Sequence, residues 1–376
     1  MNPRRLLSSD GWPYLLVPFI PAAILLDFVF DGTPVLIFAV SAAGVIPTAA
    51  LMGRATEELA ARSGPGIGGL LNVTFGNAPE LIIALFALNA GLHEVVKASI
   101  IGSILGNTLL VLGMAMLVGG LGRERQTYDR TVASALSLML LLAAAALVMP
   151  AVFELVQGSG LPGAGEERVD YDSTVETLSL AVAVILIGSY VAGLIFSLKT
   201  HKDLFNPVGD DADEDDRHGE PWTVKKAVVA LALAGVAVGV MSEILVGSIS
   251  EASKTVGLSE FFVGVIVVAI VGNAAEHWVA ILVAYKDKMD LAVNIAIGSS
   301  AQIALFVGPL LVLASYVLGP HPMALVFNGF EVAGVILAIL LTTHITSDGE
   351  STWFEGLLLL AVYAVLAVTF FAAGSG

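Results

Sequence analysis

Gly76-Asn77-Ala78-Pro79-Glu80 returns 196 residues later as Gly272-Asn273-Ala274-Ala275-Glu276, and each copy lies inside a long apolar run. At the same offset Ile101-Gly102-Ser103 returns as Ile297-Gly298-Ser299, and Gly68 as Gly264. The chain therefore reads as a duplication that keeps one carboxylate, one amide and one glycine per half. A carboxylate inside a lipid-embedded helix is costly, so two of them at matching positions point to one shared site.

Composition names the solvent. Of 376 residues, 57% are hydrophobic and only 13% charged, with a mean hydropathy of +0.88; a chain of this length in water carries more charge. Apolar runs of about 20 residues, enough to cross a bilayer, recur from end to end. The expected fold is all-α: a polytopic membrane protein of eleven transmembrane helices, at Trp12–Phe30, Pro34–Met52, Ile67–Ala90, Glu94–Leu121, Thr131–Met149, Ser173–Leu198, Val224–Ile249, Leu258–Tyr285, Met289–Val317, Met323–Thr343 and Trp353–Phe371. Cysteine is absent, which removes disulfides and thiolate metal ligands. The first span follows a basic Arg4-Arg5, but it lacks a small-residue cleavage site and carries Pro13, Pro18 and Pro21; it is expected to be retained.

The net charge of −16 argues against nucleic acid as a partner. The distribution of the 17 Lys and Arg residues is more informative. With eleven spans, one side collects 14 of them, and the other holds only Lys97, Arg168 and Lys254. Positive residues favour the cytoplasm, which places the N-terminus inside and the C-terminus outside. Residues 1–33 then form an added N-terminal helix, 34–198 a first five-helix repeat, 199–223 an acidic cytoplasmic linker and 224–376 a second five-helix repeat. Because five is odd, the second repeat enters the membrane upside down relative to the first. Inverted repeats of this kind build alternating-access transporters with a site near the midplane.

The residue types give the chemistry. Asn77 and Glu80, like Asn273 and Glu276, are three apart and share a helix face. Pro79 has no N–H for the carbonyl of Phe75, and Gly76 and Gly272 are expected to add flexibility. Carboxylate, amide and backbone oxygens together suit a hard cation such as Ca²⁺, and two carboxylates neutralise one divalent ion. On the fourth and ninth spans, Ser103, Asn107, Ser299 and Gln302 are candidates to touch the ion or orient the glutamates; helix packing is the plain alternative. His277, next to Glu276, is a candidate proton-transfer group or a hydrogen-bond partner of a neighbouring helix; Glu243 and Glu331 do not obey the repeat and are candidate proton-relay or vestibule carboxylates. Glu57 and Glu58 near the second span are either cation-gathering or interfacial. His93-Glu94-Val95-Val96-Lys97 begins like a zinc-protease motif but has Lys where the second His is required, so an intramembrane enzyme is not supported. Asp210 to Asp216 is an acidic run that serves as a solubilising linker or as a Ca²⁺ collector.

These motifs carry a family resemblance. Two inverted Gly-Asn-Ala-x-Glu copies, Leu70–Thr74 before the first, His277 after the second, Gly102–Asn107 and Gly298–Gln302 resemble the Ca²⁺/H⁺ antiporters, the CAX branch of the cation/Ca²⁺ exchanger superfamily. Na⁺/Ca²⁺ exchangers typically carry Gly-Thr-Ser in place of Gly-Asn-Ala. The resemblance implies exchange of cytoplasmic Ca²⁺ for H⁺ by alternating access, with Glu80 and Glu276 binding the exchanged ions, Asn77 and Asn273 beside them, and Ser299 and Gln302 nearby. It implies no cofactor, inorganic cations and the lipid bilayer as partners, and a prokaryotic inner membrane as location. A Na⁺-coupled exchanger or a monovalent cation/H⁺ antiporter of the same fold is the alternative, and homo-oligomerisation is left open. The first half has Gly106 where the second has Gln302, so the site is not strictly symmetric.

Overall fold

The computed structural model describes residues 11–164, 168, 171–200 and 222–374. The apolar runs become helices: α1 (Trp12–Phe28), α2 (Pro34–Ala60), α3 (Gly64–Phe75), α4 (Ala78–Asn89), α5 (His93–Gly120), α6 (Arg130–Gln157), α7 (Ser173–Thr200), α8 (Val224–Val256), α9 (Glu260–Tyr285), α10 (Met289–Ser315), α11 (Gly329–Ile345) and α12 (Trp353–Gly374). Among the described residues eight of these are long and apolar enough to cross a membrane, while α1, α4 and α11 are shorter apolar helices. A bundle in hydrocarbon can leave no backbone group unpaired, which is why helices are the form these runs take. The acidic run 210–216 lies outside the described residues.

Two expected helices differ in detail. The run Ile67–Ala90 is broken between α3 and α4 at Gly76-Asn77, where Pro79 supplies no donor and enters at the second position of α4. Residues 323–328 are extended rather than helical. Their backbone groups are taken up by side chains instead: Met323 N donates to Ser315 Oγ at 2.7 Å, Leu325 N to Ser179 Oγ at 3.0 Å, and Val326 O accepts from Lys97 Nζ at 3.0 Å. Helix α11 then starts at a capping box, in which Asn328 Oδ1 accepts from Glu331 N at 3.0 Å and Glu331 Oε2 from Asn328 N at 2.8 Å. At the start of α7, Asp172 accepts from Thr174 N at 2.9 Å, a bond that holds its carboxyl below the usual carboxylate range.

Local conformation matches at the 196-residue offset in two places. The turn ending α4 has Gly91 at φ +79°, and the turn ending α9, at the matching position, has Asp287 at φ +65°. Both turns close with equivalent backbone bonds, Leu92 N to Ala87 O and Lys288 N to Val283 O, each 2.9 Å. Helices α5 and α10 each widen into a π-turn at the same register, Gly106–Val111 and Ile303–Val307. In the first of these, the carbonyl of Thr108 finds Thr342 Oγ1 at 3.3 Å.

Loops that the Lys/Arg distribution assigns to one side do meet. A short antiparallel pair joins β1 (Gln126–Thr127) to β2 (Glu350–Ser351), with Gln126 opposite Ser351. Gln126 Nε2 donates to Asp287 Oδ1 at 2.7 Å and Arg123 to Tyr285 O at 3.1 Å. On the assigned opposite side His93 reaches His321 O at 3.0 Å, and the buried Lys97 pairs with Glu94 while donating to Val326 O.

Small residues set the central packing. A Cβ on Gly102 would fall on the carbonyl of Val265, and one on Gly264 would lie 3.0 Å from Val95 O. Helices α5 and α9 therefore touch backbone to backbone. Replacing Gly102 by Val should push them apart and destabilise the fold by about 1–3 kcal/mol, as overpacking does; the thermal unfolding midpoint in detergent measures the loss.

Candidate functional site

The two repeated motifs meet across the bundle. Gly76 stands beside the glutamate of the other half: a Cβ there would be 3.7 Å from Glu276 Oε1. Gly272 does the same for the first half, with a Cβ position 3.3 Å from Glu80 Cγ. Gly272 leaves room for the opposite carboxylate, while at Gly76 the nearest atom to such a Cβ is Asn72 O of its own turn, at 2.7 Å. Gly272 sits within the continuous α9, whereas the chain breaks between helices at Gly76.

The carboxylates have different settings. Glu80 lies in the first turn of α4, where the helix dipole favours a negative charge. Glu276 lies in mid-helix and accepts a hydrogen bond from Ser299 Oγ at 3.1 Å. Both side chains are half-buried.

The amides cross between halves. Asn77 Nδ2 donates to Gln302 Oε1 at 2.7 Å, and Asn273 Nδ2 donates to Ser103 Oγ at 3.1 Å and to Ala269 O at 2.9 Å. With their nitrogens engaged, both amide oxygens are left over. Asn77 Oδ1, Asn273 Oδ1 and Glu80 Oε2 are buried without a hydrogen-bond partner. Buried acceptors are seldom left so, and two amide oxygens beside two carboxylates are the hard-oxygen type of donor that Ca²⁺ or Mg²⁺ prefers.

The structure thus brings together Glu80, Glu276, Asn77, Asn273, Gly76, Gly272, Ser103, Ser299 and Gln302. His277 is buried beside them, its Nε2 donating to Asn107 Oδ1 at 3.1 Å. That partner gives Asn107 a role the sequence left open. Glu243 is exposed on α8 and is not drawn into this group. Glu331 is fully buried in the capping box of α11, where it senses the charges of Glu94 and Lys97. Glu58 accepts from Trp222 N at 3.0 Å. In a double-mutant cycle, His277→Leu and Asn107→Leu should couple by about 1 kcal/mol, measured as unfolding free energy in mixed micelles; additive losses would mean that the bond contributes nothing.

Comparison with known proteins follows this geometry. The sodium/calcium exchanger protein family matches residues 33–199 and 226–372. A Ca(2+)/H(+) antiporter of Aphanothece halophytica is 43% identical over 97% of this chain and 98% of its own length. The Ca(2+)/H(+) antiporter ChaA of Bacillus subtilis is 45% identical over 89% of this chain and 92% of its own. The solved structure of native YfkE superposes with a TM-score of 0.79 at 40% identity, covering 96% of this chain and 99% of that one.

Proposed function

The chain belongs to the sodium/calcium exchanger protein family, among its Ca²⁺/H⁺ antiporters, and from that premise we propose that it extrudes cytoplasmic Ca²⁺ in exchange for protons. It is an integral membrane protein. The observation that carries the reading is the reciprocal placement of Glu80 and Glu276 against Gly272 and Gly76, with unpartnered oxygens of Asn77, Asn273 and Glu80 beside them.

Charge explains why such a site exchanges rather than leaks. Two carboxylates with one Ca²⁺ are neutral, and two carboxylates with two protons are neutral as well. The bare pair holds two charges in a poorly solvated place, which costs several kcal/mol. Bare sites are therefore rare. The site passes between its two filled forms, each cargo displacing the other from the same oxygens. Glu80 and Glu276 bind cation and protons alternately. Asn77, Asn273, Ser299 and Gln302 hold the cation or aim the carboxylates.

Movement between the sides follows from the inverted repeat. The matching turns at Gly91 and Asp287, and the matching π-turns in α5 and α10, support two five-helix units at 34–198 and 224–376 with an added first helix. Eleven crossings, with the N-terminus cytoplasmic and the C-terminus external, agree with the gathering of loops into two groups. Alternating access then rocks or slides the glutamate-bearing helices against the rest. With an inward proton gradient, protons load from outside and Ca²⁺ leaves.

Glu80→Gln and Glu276→Gln each keep shape and hydrogen bonding but remove the charge. Either one should abolish ⁴⁵Ca²⁺ uptake driven by a pH gradient in everted vesicles, and near-normal uptake by either would sink the assignment. The same vesicles with Na⁺, K⁺ or Mn²⁺ replacing each ion in turn separate Ca²⁺/H⁺ exchange from the Na⁺-coupled and monovalent alternatives. Gly272→Val, which places methyl groups against Glu80 Cγ, should weaken Ca²⁺ uptake at least tenfold in half-saturation, equivalent to about 1.4 kcal/mol.

A further inference from the structure

We propose that Gly106 is a specificity-determining residue: it keeps open a space between α5 and α9, beside the free polar atoms of Asn107 and Asn273, in which one water stays with the exchanged cation. The inference rests on Glu80 and Glu276 as the cation site and goes beyond it, since Gly106 has no side chain to touch an ion. The space is defined by what surrounds it. One turn earlier on α5, a Cβ on Gly102 would fall on the carbonyl of Val265, so the two helices touch there. Ser103 and Asn107 reach α9 too, at Asn273 and His277. Gly106 lies four residues after Gly102 and three after Ser103, so its face of α5 is turned to α9 as well. Yet beyond its own helix and chain neighbours, a Cβ on Gly106 would meet no atom within 4 Å, although the residue is buried. Each of the other glycines buried in a described helix has a neighbour within that distance.

A gap with apolar walls stays empty, but this one is rimmed by unpaired polar atoms. Asn107 spends its Oδ1 on His277 Nε2, and its Nδ2 is buried without a partner. Asn273 spends its nitrogen on Ser103 and Ala269, and its Oδ1 is buried without a partner. Turning the Asn107 amide over only exchanges which of its two atoms is left free. A donor on one wall and an acceptor on the other call for a molecule that both accepts and donates. Water does so and still has a lone pair for a cation, whereas a bare cation would repel the Asn107 N–H.

The repeat supplies the comparison. Gln302 stands at the position matching Gly106, and its Oε1 accepts from Asn77 Nδ2 at 2.7 Å. The second half thus answers an asparagine with a side chain where the first leaves room for solvent. The consequence falls on which ions are admitted. Mg²⁺ sheds its waters reluctantly and usually keeps several, whereas Ca²⁺ accepts a loose shell of protein oxygens. A hydrated flank receives a small, strongly hydrated ion that a site lined by protein alone would refuse. Gly106 therefore widens the range of divalent ions that compete for the glutamates, and a side chain there narrows it toward Ca²⁺.

Gly106→Ala fills the space with a methyl group and suits a helix better than glycine, so the thermal unfolding midpoint should hold or rise. Crystal structures at a resolution that shows water should place an ordered water within hydrogen-bond distance of both Asn107 and Asn273 in the wild type, and none there in Gly106→Ala. Equilibrium ⁴⁵Ca²⁺ binding competed with Mg²⁺ should show the affinity for Mg²⁺ relative to Ca²⁺ fall by about tenfold in the variant, the order that one lost hydrogen-bonded water gives. Gly247→Ala, at an exposed α8 glycine whose Cβ position is also clear, should change neither result. A wild-type structure in which no water lies between Asn107 and Asn273 would overturn the proposal. So would a Mg²⁺ to Ca²⁺ ratio that Gly106→Ala leaves unchanged, or one that Gly247→Ala shifts equally. If ⁴⁵Ca²⁺ binds undiminished when Glu80→Gln and Glu276→Gln are combined, the cation site itself fails, and the crystallographic water still decides the space beside Gly106.

Discussion

A carboxylate inside an apolar bundle has to be answered by something close to it, and this fold sets two of them together, each beside a glycine of the other half, where one counter-charge can answer both. Gly76 and Gly272 are the physical means. A Cβ at Gly272 would press on Glu80 Cγ at 3.3 Å, and one at Gly76 would stand in contact with Glu276 Oε1 at 3.7 Å, so larger side chains at either position crowd the opposite glutamate. The amide crossings Asn77–Gln302 and Asn273–Ser103 tie the same centre to α10 and α5. Around this centre the close packing of α5 on α9 through Gly102 and Gly264 is a supporting requirement.

Much of this is legible in the residues, for a reason that can be stated. In a membrane, polar atoms are rare and expensive, so a repeated Asn-x-x-Glu stands out against an apolar background and its place in the fold is nearly forced. The helix runs are read for the same reason, because lipid leaves the backbone no alternative. What the pattern does not reveal is how polar groups pair across distant helices. Asn107 and His277 are 170 residues apart, and nothing in a periodicity ties them. Glu331 reads as a mid-span carboxylate, yet it caps a helix that starts six residues later than hydropathy suggests, because Lys97, Ser179 and Ser315 satisfy the extended backbone that hydropathy alone would make helical. Side-chain rescue of backbone groups is a tertiary event and has no local signature.

The two ends of the bundle show how one duplicated plan acquires different properties. The turn geometry at Gly91 and Asp287 is shared, but the side chains that lace the facing loops are not. His93 and its neighbours Glu94, Lys97 and Glu331 make a densely charged, buried group, whereas Arg123, Gln126 and Asp287 make a more open one. At these two turns the backbone matches while the side chains around them do not.

Pro79 against Ala275 is the sharpest of these differences. It cuts one glutamate helix in two and leaves the other whole. Were the halves identical, exchanging their conformations would turn an inward-opening form into an outward-opening one of equal free energy. One broken and one continuous helix lift that degeneracy. On the proposed alternating-access mechanism the bundle would therefore have a preferred side even without a gradient or cargo, and the bound ions would work against a built-in offset rather than on a level balance.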